Sequence, residues 1–169
     1  LCAPVAEELI FRKLLIDRLA QYGEGVAVLF SGLMFGLFHG NLNQFVYAFV
    51  LGLCFGFIYV KTGNIRYTIG LHMLVNFLGS VLGVAILKWL GDDFLSIASD
   101  PAGMMSYMTG NFGKLIVYFI YIFLLLGVAI AGIILFIVNL KKIRFLPGMN
   151  TLPKGKRFST TVLNVGMAL

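Results

Sequence analysis

From residue 115 to residue 140 the chain carries no charged side chain. Inside a bilayer the backbone must satisfy its own N–H and C=O groups, and an apolar helix of about 20 residues does so while crossing the hydrocarbon core. Residues 67–87 likewise lack Asp, Glu, Lys and Arg, and between Glu24 and Lys61 the only acidic, basic or imidazole side chain is His39. That last stretch is long enough for two crossings, with a break expected at residues 40–44, where Gly40, Asn41, Asn43 and Gln44 fall. The expected fold is therefore all-α, a polytopic transmembrane helix bundle of four crossings. A helix over residues 5–22 precedes them and carries Glu7, Glu8, Arg12, Lys13, Asp17 and Arg18. So many charges imply that it enters the membrane only in part, with Glu7 toward the protein interior. The composition agrees: 60% of residues are hydrophobic and 12% charged, against about 25% charged in soluble domains.

The net charge of +6 does not point to nucleic acid. Lys141, Lys142, Arg144, Lys154, Lys156 and Arg157 all follow the last apolar run, in a tail without an acidic residue. Basic residues flanking a membrane span mark the cytoplasmic side, so residues 141–169 read as a basic cytoplasmic tail behind a membrane-embedded domain at 1–140. The segment 91–113, with Asp92, Asp93 and Asp100, then reads as an outer loop, and 61–66 as a cytoplasmic turn. Cys2 and Cys54 form neither a metal-ligand spacing nor a disulfide framework. Glycines one turn apart at Gly32, Gly36 and Gly40, at Gly52 and Gly56, and at Gly79 and Gly83 predict close helix packing. Because the chain opens on Leu1, it reads as the C-terminal part of a longer, multi-pass membrane protein, lodged in the cytoplasmic membrane if bacterial.

Ionisable groups are costly inside a membrane and mark functional sites by default. Three clusters stand out. In the first, Glu8 and Arg12 share a helix face at i, i+4, while Glu7 diverges by about 100°. Glu8–Arg12 is then a structural ion pair, and Glu7, without a local counter-charge, suits a general base. In the second, His39 follows Phe35 by one turn and ends an uncharged helix; Asn41, Asn43 and Gln44 after it suit a wet cavity rather than lipid. In the third, His72 and Asn76 lie one turn apart, a plausible donor pair for an oxyanion. A single site requires the two imidazoles to lie within about 10 Å of each other, since one water must reach its base. Helix rise alone sets them at different depths, so the break after His39 must be sunk or the helices tilted.

Glu-Glu-xxx-Arg, then Phe-xxx-His, then His-xxx-Asn, met here at Glu7, Glu8, Arg12, Phe35, His39, His72 and Asn76, resembles the CAAX-protease and bacteriocin-processing (Abi) family of intramembrane proteases. The resemblance spans about residues 1–80. It implies an endopeptidase acting on membrane-associated peptides or lipidated proteins, in which Glu7 and His39 activate water while His72 and Asn76 stabilise the tetrahedral intermediate. Glu8, Arg12 and Phe35 would support the site. The family is commonly labelled metalloprotease; Glu7, His39 and His72 would be the ligands of a zinc ion, but no His-Glu-xx-His helix is present, and a metal-free glutamate mechanism needs no cofactor. A non-catalytic immunity or scaffold protein against peptide toxins is the alternative. A transporter is disfavoured because no inverted repeat accompanies the single break.

Overall fold

The computed structural model describes residues 2–92, 94–149 and 155; Asp93, Lys154, Lys156 and Arg157 lie outside the described residues. Helices α1 (Cys2–Glu8), α2 (Asp17–Leu19), α3 (Glu24–Phe38), α4 (Leu42–Thr62), α5 (Ile65–Asn76), α6 (Gly83–Leu90), α7 (Phe94–Ala98) and α8 (Pro101–Asn139) follow in order. Between α1 and α2 the helix continues as a π-helix, Leu9–Ile16, and a further π-helical stretch, Phe77–Leu82, links α5 to α6. The all-α membrane bundle expected from the sequence is what forms.

Among the described residues three helices are long and apolar enough to cross a membrane: Leu42–Thr62, the continuous Ile65–Leu90, and Pro101–Asn139. Glu24–Phe38 is apolar but shorter, so the four expected crossings become three long helices and one short one. The segment 91–113 also differs from expectation, being largely helical. Asp100 accepts from the N–H groups of Ala102 and Gly103 at 3.2 and 3.0 Å, with Pro101 at the first helical position, a cap-and-proline start that overrides loop composition. A kink at Asn111 (φ −129°, ψ 25°) divides α8.

The described chain divides into two compact units, one running to Met73 and resuming at Phe145, the other covering 74–144. In the first, α3 and α4 form an antiparallel hairpin around the break. Gly40 (φ 63°) turns the chain, and Asn41 caps α4 by accepting from the Asn43 N–H at 2.9 Å. The hairpin is tight because both helices offer glycine at the crossing: a Cβ on Gly52 would stand 2.8 Å from the Gly32 Cα. The expected Gly32–Gly36 and Gly52–Gly56 packing is met, whereas Gly79 faces open space and packs nothing.

Phe11, Phe35 and Ala48 form one buried cluster in this unit, and Ile16, Leu19, Ala27 and Tyr59 another. Polar groups tie the first helical run to α4: the Tyr59 hydroxyl donates to Asp17 at 2.8 Å, and Lys13 pairs with Asp17 at 2.8 Å. Phe145–Gly148 lies as a strap across the start of α3. The Glu24 N–H donates to the Leu146 carbonyl at 3.1 Å, the Leu146 N–H donates to the Glu24 carboxylate at 2.9 Å, and Gly23 bridges to Pro147. Lys61 pairs with the same Glu24 carboxylate and lies over the Phe145 ring. The start of the tail and the end of α4 thus share one end of this unit. In the second unit Leu90, Phe94 and Leu115 form the buried core, and the Tyr121 hydroxyl donates to the Leu78 carbonyl at 2.7 Å.

Candidate active site

Glu8 and Arg12 are both fully buried, and their side chains meet at 3.0 Å. The expected i, i+4 ion pair forms. Its Nε–Oε2 approach is off-line for a hydrogen bond, and neither Glu8 Oε2 nor Arg12 Nη2 has a hydrogen-bond partner among the described residues. Aromatic faces and one hydroxyl hold the guanidinium instead. Its carbon lies 4.8 Å from the Phe35 ring centroid and 5.7 Å from that of Phe55, and Nη1 donates to Ser31 Oγ at 3.1 Å.

His72, from α5, is buried against this pair. Its Nδ1 lies 2.9 Å from Glu8 Oε1 and its Nε2 3.6 Å from Glu7 Oε2. Helix faces alone would separate Glu7 from Glu8; in the structure both carboxylates serve one imidazole. The two ring nitrogens meet side chains from consecutive residues, which a face count on α1 does not foresee. The Nδ1–H donates to Glu8, leaving Nε2 toward Glu7. Phe35 meets the ring edge-to-face and Phe55 lies tilted against it, each with its centroid 5.5 Å away.

His39 ends α3 half-buried. Its Nδ1–H donates to the Phe35 carbonyl at 2.8 Å, which leaves Nε2 as the acceptor nitrogen of the neutral ring. The Phe35 ring stands 4.9 Å from the His39 ring and 5.5 Å from that of His72, so one phenyl group carries both imidazoles. Asn41, Asn43 and Gln44 are exposed. Asn76 is the last residue of α5, one turn beyond His72, and is exposed.

As potential metal ligands these residues do not fit a three-ligand site. Among the described residues no three of His, Cys, Asp and Glu are grouped closely enough to hold an ion. Glu7 and His72 stand together, but His39 does not complete the expected Glu7, His39, His72 set.

Two supporting residues escaped sequence reasoning. Ser31 lies four positions before Phe35, which lies four before His39, so the three share a stripe on α3; that spacing was the available signal. Phe55 carried none, since an apolar residue in an apolar helix does not announce what it stacks on.

These features define an all-α membrane protein built around a buried carboxylate–guanidinium–imidazole cluster. Residues 1–78 match the family model described as "Type II CAAX prenyl endopeptidase Rce1-like". The chain is also 32% identical over 74 residues to a Bacillus subtilis (strain 168) protein described as "Putative membrane peptidase YdiL". That alignment covers 43% of this chain and 30% of the relative's length. No solved structure matches. Over residues 1–78 the chain is therefore similar to the CAAX-protease family.

Proposed function

We propose that this chain carries the catalytic centre of an intramembrane endopeptidase, hydrolysing peptide bonds in membrane-associated or lipid-modified peptides by a carboxylate-activated water. The observation that carries the reading is the 3.6 Å approach of Glu7 Oε2 to His72 Nε2 beside a Glu8–Arg12 pair that is itself neutral. With two carboxylates and one guanidinium, the cluster balances when it holds one further proton between Glu7 and His72. Buried charge is costly unless balanced, which favours that state.

Glu7 takes a proton from the water as its oxygen attacks the scissile carbonyl carbon, and His39 Nε2 accepts the water's second hydrogen bond. The oxyanion that develops is met by His72 Nε2–H. Collapse breaks the C–N bond, and the proton held by Glu7 passes to the leaving amine. Glu8 keeps the His72 Nδ1–H engaged, so Nε2 is the nitrogen presented to the reaction. These donors favour glutamate-type chemistry, with no metal required; stoichiometric metal in purified active protein would overturn that part. Lys141, Lys142 and Arg144, exposed after the last span, support a cytoplasmic tail against anionic lipid.

The test compares wild type with Glu7→Gln in native membranes, cataloguing peptide N-termini by mass spectrometry. Glutamine keeps the shape but cannot take the proton, so processing should fall by about 10²–10⁴-fold. Termini that vanish at equal protein abundance support proteolysis and identify substrates. Identical catalogues with the fold intact point to the immunity or scaffold alternative.

A further inference from the structure

Ser31 is fully buried on α3 and contacts two consecutive residues of the neighbouring helical run. Its hydroxyl donates to the Phe11 carbonyl at 2.8 Å and accepts from Arg12 Nη1 at 3.1 Å. A serine has one hydroxyl hydrogen. With that hydrogen committed to Phe11, the rotor is set and a lone pair faces the guanidinium.

We infer that Ser31 is a positioning residue, which sets the orientation of Arg12 and thereby the Glu8 contact that holds the His72 Nδ1–H; its catalytic meaning rests on the peptidase reading above. The guanidinium carbon lies 4.8 and 5.7 Å from the Phe35 and Phe55 ring centroids, but a ring contact does not fix where each N–H points. Ser31 supplies the missing constraint. From Arg12 the chain of contacts runs to Glu8 at 3.0 Å, from Glu8 to His72 Nδ1 at 2.9 Å, and His72 then turns Nε2 toward Glu7. Glu8, Arg12, Ser31 and His72 are all buried, so water does not stand in for a lost link cheaply. Removing the Ser31 oxygen would leave Arg12 Nη1 without its partner beside an Nη2 that already has none among the described residues. The guanidinium then gains by rotating toward Glu8, and a Glu8 carboxylate drawn to Arg12 loosens its hold on the His72 Nδ1–H.

The full chain is reconstituted in lipid nanodiscs as wild type, Ser31→Ala and Ser31→Thr. The first readout is the imidazole ¹⁵N spectrum. The chain has two histidines, so a His39→Gln spectrum assigns the His72 signals. The second is kcat and KM on a peptide identified through Glu7→Gln. Ser31→Ala should move the His72 Nδ1 signal and lower kcat about tenfold at unchanged KM, while Ser31→Thr, which keeps the hydroxyl, restores both. Unmoved His72 signals in folded Ser31→Ala overturn the inference, even if kcat falls, because a merely structural serine would behave that way. Should Ser31→Ala fail to fold, Ser31→Cys, a weak donor in the same place, takes its place: moved His72 signals uphold the inference and unmoved ones overturn it. Shifted His72 signals alongside an unchanged Glu7→Gln catalogue would uphold the positioning role and sink the peptidase reading, so the two fail separately.

Discussion

Replacing Arg12 tests whether the cluster is an electrostatic unit or merely a packed one. Arg12→Met keeps an apolar stem of similar length against Phe35 and Phe55 but removes the permanent cation that meets Glu8. Both partners have 0% side-chain exposure, and at full burial removing one member of an ion pair costs about 3–5 kcal/mol, because the other charge stays uncompensated. Glu8→Gln alone leaves the complementary orphan, although glutamine still offers an oxygen to the His72 Nδ1–H. The double variant Arg12→Met with Glu8→Gln has no orphaned charge, and replacing a whole buried pair is often close to neutral. It should therefore cost less than either single change, a coupling of about 2 kcal/mol or more. Equilibrium unfolding in mixed micelles, followed by far-ultraviolet circular dichroism, measures all four proteins. Fluorescence is unsuitable because the one tryptophan, Trp89, lies in the second unit. Additive costs, or an Arg12→Met penalty below about 1 kcal/mol, would refute the reasoning.

Other outcomes follow from the first unit's packing. Gly52→Ala should destabilise the α3–α4 hairpin by about 1–3 kcal/mol, since its Cβ would meet backbone at Gly32 rather than a yielding side chain; the same unfolding assay reads it. Gly148→Ala should release the strap, because a Cβ there would run into the Gln21 carbonyl oxygen; hydrogen exchange at the Leu146 amide should quicken by at least about tenfold. The strap should also respond to acid. Burial pushes the Glu24 carboxyl up, but Lys61 and the Leu146 N–H outweigh it and hold the group below its ordinary value. A depressed folded-state value means the contribution is complete above the ordinary glutamate range and disappears as pH falls through the lower folded value. Leu146 exchange, corrected for its intrinsic pH dependence, should accelerate only in that acidic window, and a flat profile would count against the Glu24 clamp.

Hydrophobic run length and the scarcity of charge were enough to establish helices and a membrane setting, because the bilayer leaves an apolar backbone few alternatives. The Glu8–Arg12 pair was equally legible, being local at i, i+4 on one helix. Local signals also misled: counting faces sent Glu7 away from Glu8, and an acidic composition suggested a loop where Asp100 and Pro101 start α8.

Which groups meet across helices was settled only by tertiary structure. His72 comes to Glu8 from 64 positions away, Ser31 reaches Arg12 from the next helix, and Phe55 stacks on both Arg12 and His72 without any polar mark in the sequence. Helix periodicity records which face a residue occupies; it does not record the rotation and approach of the partner helix, which glycine contacts such as Gly32 on Gly52 set. A chain can therefore declare its chemistry-bearing residues one helix at a time, while their pairing depends on how closely those helices are allowed to pack.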